Sequence, residues 1–156
     1  MRRRRSLKAR RWVVPLEQAP GGRFVIVGGA PPLRPAEGTS LDRFARWLTA
    51  LGDALEAADA EALKSLFTVE ATFAPDPFAP LAQGRRALIQ RVIAEMTSPG
   101  LRFEARVLGA GETYGVAHIR LVSAASTADG VVLVAMDARG RCTALRRWSH
   151  ALEGRG

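Results

Sequence analysis

The chain has 156 residues, 47% of them hydrophobic and 24% charged, which suits one soluble globular domain with a tail. Its one cysteine, Cys142, excludes a disulfide framework and a Cys-based zinc site. No apolar stretch approaches the roughly 18 residues that a membrane span needs. The formal net charge of +8 is uneven. Residues 1–40 hold nine Lys/Arg against two Asp/Glu, whereas residues 41–156 hold 14 against 13.

The basic run Arg2 to Arg5, Lys8, Arg10 and Arg11 has the charge of an arm that binds phosphates. Arginine outnumbers lysine 21 to two, however, a skew expected of GC-rich coding sequence. The head therefore reads first as a disordered or over-extended start, and nucleic acid is not the expected partner. Arg4-Arg5-Ser6-Leu7-Lys8 has the look of a twin-arginine signal, but no apolar region follows it, so a cytoplasmic location is expected. Phe24 to Ala30 reads as a strand entering a glycine turn. Pro31, Pro32 and Pro35 block the helix that a dinucleotide site would need there. Residues 1–38 are assigned as a basic, Pro/Gly-rich extension and 39–152 as the domain.

Leu41, Phe44, Leu48, Leu51 and Leu55 recur at steps of three and four, which predicts a helix from Thr39 to about Ala58 with Thr39 as its cap. Asp59 caps a second helix running through Leu63, Leu66 and Phe67. A strand is expected over 68–74, then a proline-rich loop to Gly84. A third helix follows, with Leu88, Ile89, Val92, Ile93 and Met96 on one face, ending at Ser98-Pro99-Gly100. The period then changes to two. Strands are expected at 101–107, 114–122, 131–136 and 142–150, with 131–136 central because it is apolar on both faces. The order is that of an α+β domain with helices packed on one face of an antiparallel sheet.

Several strings, in this order, resemble the nuclear-transport-factor-2-like superfamily in its SnoaL-like (polyketide cyclase-like) branch. They are Asp59…Leu66-Phe67, Ala71-Thr72-Phe73, Asp76-Pro77-Phe78, Pro80-Leu81, Gly84-Arg85, Ala87-Leu88-Ile89 and Gly140-Arg141-Cys142 through His150. The resemblance implies a cone-shaped α+β barrel: a curved antiparallel sheet wrapped around three helices, with a pocket. It also implies a homodimer through the outer sheet face, and either small-molecule chemistry or a non-catalytic binding module. Similarity to the steroid isomerases of the superfamily makes Asp76, before a proline, a candidate general base. The positions where those enzymes carry oxyanion donors fall near Leu51 and Val132, which donate nothing, so that reaction is not expected. The Asp–Arg–Asp set of the family's epoxide hydrolases has no clear match, and Val131–Met136 lacks the strand acid of the cyclases.

From the residues themselves, His118, mid-strand, is the candidate acid–base partner of Asp76. Trp47, Phe73, Phe78, Tyr114 and Trp148 are candidate lining for an apolar ligand site. Two histidines are too few for a metal centre, so none is expected, and acid–base chemistry requires no cofactor. The expected ligand is a small apolar molecule. Arg85 and Arg86 read as part of a structural turn, and Cys142 as a buried small hydrophobe.

Overall fold

The computed structural model describes residues 39–153, so the basic head and the Phe24–Ala30 segment lie outside the described residues. The elements follow the order α1 Ser40–Glu56, α2 Ala60–Leu66, β1 Phe67–Ala74, β2 Ala82–Gln83, α3 Arg85–Met96, β3 Arg102–Ala110, β4 Tyr114–Val122, β5 Ser126–Met136 and β6 Cys142–Glu153. The caps are those expected. Thr39 Oγ1 accepts from Asp42 N at 3.2 Å, and Asp59 Oδ1 accepts from Glu61 N and Ala62 N, both at 3.0 Å. Each satisfies donors that a helix start leaves open. Trp47 ties α1 to the end of α2 by donating its indole N–H to Leu66 O at 3.0 Å.

The six strands form one sheet in the order β2-β1-β6-β5-β4-β3. It is mixed rather than wholly antiparallel, because β1 runs parallel to β6. The physical reason is the connection. Parallel neighbours need a long crossover, and the whole run from α3 to β5 supplies it. β5 begins at Ser126, five residues before the expected Val131, and it pairs along its full length with β6 and from Thr127 to Ala135 with β4.

The α1 stripe (Phe44, Leu48, Leu51 and Leu55) is at most 1% exposed and meets Phe103, Ala105, Val107, Ala117, Ile119 and Val132 in one core cluster. Gly115 permits the contact between α1 and β4: a Cβ there would lie 2.4 Å from the Phe44 ring. α3 adds Leu88, Val92 and Met96 to the same core. Among the described residues, no helix is long and apolar enough to cross a membrane.

Candidate functional site

The loop after β1 reads Ala74-Pro75-Asp76-Pro77-Phe78-Ala79-Pro80. Three prolines fix its backbone angles. Asp76 fixes the rest: its Oδ1 accepts from Phe78 N at 2.8 Å and from Ala79 N at 2.9 Å. This is the turn that an aspartate builds on its own backbone. Asp76 itself is exposed, and among the described residues nothing bonds to its Oδ2.

Behind the loop lies a residue that the sequence reading missed. Arg147 faces inward from β6 and is 8% exposed, the one buried charged side chain among the described residues. Its Nε donates to Pro75 O at 3.1 Å, and Nη1 donates to Glu95 O at 3.2 Å. Nη2 lies 3.7 Å from Glu95 Oε2. Glu95 also accepts from Arg91 Nε at 3.0 Å. Burial pushes the Arg147 guanidinium below its usual range, while the charges of Glu95 and then Asp76 pull it back up. Arg147 thus joins the residue before Asp76 to the last turn of α3. Leu145 and Arg147 share the inner face of β6, so alternation alone carried the signal.

His118 is elsewhere. On β4 its neighbours Ala117 and Ile119 enter the core, so His118 points to the outer face. β6 and β5 separate β4 from β1, about 14 Å at ordinary strand spacing. The sheet therefore does not bring His118 and Asp76 together. His118 Nε2 instead meets Asp129 Oδ1 at 2.5 Å, and Arg120 Nε donates to Asp129 Oδ2 at 3.2 Å. The His118 hydrogen bond is the main reason that the Asp129 carboxyl sits below its ordinary value of 3.8. A depressed carboxyl stabilises the fold above that ordinary value, and the contribution is lost as pH falls through the folded one. Asp129→Asn is accordingly expected to flatten the acid limb of the stability curve below about pH 4, read by thermal melts from pH 2 to 7.

The five aromatic candidates are spread over the molecule. Trp47 and Phe73 are in the core at 4% and 0% exposure. Phe78 stands on the Asp76 loop at 95%. Tyr114 and Trp148, at 49% and 42%, share the outer sheet face with His118. There the cross-strand register sets Arg106, His118, Val131 and Trp148 in one row. His150 is also exposed on this face, opposite Asp129. Leu51 and Val132 are fully buried apolar core. Cys142 is buried, and that burial pushes its thiol far up, out of the reactive range. No group of three or more His, Cys, Asp or Glu side chains among the described residues is placed to hold a metal ion.

No protein-family model matches the chain, and no curated protein matches it. Solved structures do. An uncharacterised nuclear-transport-factor-2-like protein from Mesorhizobium loti aligns with a TM-score of 0.58 at 23% identity, covering 82% of this chain and 98% of that one. The fold is nuclear-transport-factor-2-like. The same fold matches SalBIII, an epoxide hydrolase/cyclase-like enzyme in pyran ring formation in the polyether salinomycin, at TM-score 0.58 and 15% identity over 71% of this chain and 90% of that one. It also matches an epoxide hydrolase from M. tuberculosis at TM-score 0.53 and 15% identity, over 70% and 84%. At such identities the likeness establishes the nuclear-transport-factor-2-like architecture, three helices on a curved mixed sheet, and not an activity.

Proposed function

We propose that the protein binds a small apolar molecule beside the Asp76 loop and performs cofactor-independent acid–base chemistry on it, of isomerase, cyclase or dehydratase type, in the cytoplasm. One observation carries this reading: Asp76 Oδ1 is held by two backbone N–H groups while Oδ2 has no hydrogen-bond partner among the described residues, within the field of the buried Arg147 cation. A carboxylate locked through one oxygen presents the other in a fixed direction, which is what a general base needs. Fold neighbours that include an epoxide hydrolase/cyclase-like enzyme support the class of chemistry by analogy. His118 has no part in this reading, given its place on the outer face.

The substitution Asp76→Asn keeps the acceptor oxygen and removes the charge. The test therefore begins with a native mass spectrum of the full-length protein, to identify a co-purified small molecule, and continues with Asp76→Asn on that compound class. Turnover is expected to fall at least about a hundredfold with the melting temperature unchanged. Unchanged turnover would remove Asp76 from the mechanism.

A second reading, a non-catalytic ligand-binding or dimerisation module, is favoured by the outer sheet face. Leu108, Tyr114 and Trp148 are all more than 40% exposed there, beside half-buried Val131 and Leu133. The same spectrum would then give twice the 16.8 kDa chain mass.

A further inference from the structure

A concavity lies outside the Asp76 loop. It is an open groove of about 680 Å³ between the end of α2, β1 and the first half of α3. That volume is in the range of small-molecule sites. Val69, 64% exposed, and the buried Ile89 give it apolar walls. Lys64, Arg85 and Arg86 give it charge, and no carboxylate is among its lining residues. Lys64 pairs with Glu61, outside the lining, whereas Arg85 and Arg86 have no hydrogen-bond or ion-pair partner among the described residues. The two arginines also open α3, whose first turn holds no acid. Like charge at that end of a helix is unfavourable unless something negative accompanies it. None of the residues of the Asp76 loop is among those that line this groove.

We propose that this groove binds a small amphiphile, an apolar body carrying one oxyanion head, with the head between Arg85 and Arg86 and the body on Val69 and Ile89. Arginine forks suit a carboxylate or phosphate oxygen pair, and their aliphatic stems extend the apolar wall. With nine Lys/Arg against two Asp/Glu, residues 1–40 have the wrong sign of charge to complement three cations, which favours a separate anionic ligand. The inference does not depend on Asp76 chemistry.

The test is an amide NMR titration of the full-length ¹⁵N-labelled protein with decanoate, with decanol and with phosphatidylglycerol vesicles. Saturable shifts at Val69, Gly84 and Ile89 are expected with decanoate. Decanol is expected to bind about tenfold more weakly, and the Arg85→Gln/Arg86→Gln double variant to lose about the same factor, as for two partly exposed charge-assisted contacts. Val69→Glu, at an exposed position, is expected to abolish the decanoate shifts without lowering the melting temperature. Equal binding of decanol and decanoate, an unaffected double variant, shifts confined to residues 76–79, or a response to vesicles alone would each overturn the proposal.

Discussion

Gly130→Val is expected to leave the protein unfolded, and Gly130→Ala to cost about 3 kcal/mol or more in urea unfolding. Gly130 sits in β5, paired with Ile119 of β4 on one side and Ser149 of β6 on the other. A Cβ there would lie 2.1 Å from Trp148 O and 2.6 Å from the Cα and Cβ of Ser149. These are largely backbone atoms of the neighbouring strand, so no rotamer change can relieve the clash. β5 and β6 would have to separate, and they are paired over the whole length of β5. The control is Gly109→Ala in β3, where an added Cβ meets nothing within 4 Å. That change is expected to stay within about 0.5 kcal/mol of the parent. Equal stability of the two alanine variants would show that the strands do not approach at Gly130 as described.

Arg147→Met is expected to lower stability by about 2–3 kcal/mol, although the methionine fills much of the same space. The loss comes from the groups left behind. Pro75 O and Glu95 O lose their donors, and the Glu95 carboxylate keeps only Arg91. A buried carbonyl without a donor costs roughly 1–3 kcal/mol, and Glu95 is exposed enough for water to recover part of its share. Arg147→Lys is expected to regain less than half, because one ammonium cannot reach both carbonyls and the carboxylate with a fork's geometry. The measurement is chemical denaturation together with limited proteolysis of the Pro75–Pro80 loop. If Arg147→Met is as stable as the parent and its loop as resistant, Arg147 does not hold the Asp76 loop against α3.

Both variants probe features that the sequence alone did not disclose, and the division has a physical basis. Local rules were sufficient for the helices. The α1 stripe, the Thr39 and Asp59 caps and the apolar face of α3 depend on residues three or four apart, and all are found in place. The order of elements, with the quoted strings, was sufficient for the nuclear-transport-factor-2-like architecture. Facing was different. Alternation in β6 put Arg146, Trp148 and His150 on one side and Leu145 and Arg147 on the other, but it could not say which side was inside. Trp148 is the larger apolar residue and was assigned to the ligand site, yet it is Arg147 that turns inward. Two backbone carbonyls and Glu95, all more than 50 residues away in the chain, satisfy the guanidinium there. The same limit applied to His118, whose partner Asp129 is set by the pairing of β4 with β5. It applied to the parallel β1–β6 pair and to the groove over Val69, Arg85 and Arg86, which three elements build together. Sequence by itself determined what each segment becomes, because that is decided by neighbours along the chain. Tertiary structure alone decided which side of the sheet is buried and which charges meet, because those depend on partners that only the packed fold brings within reach.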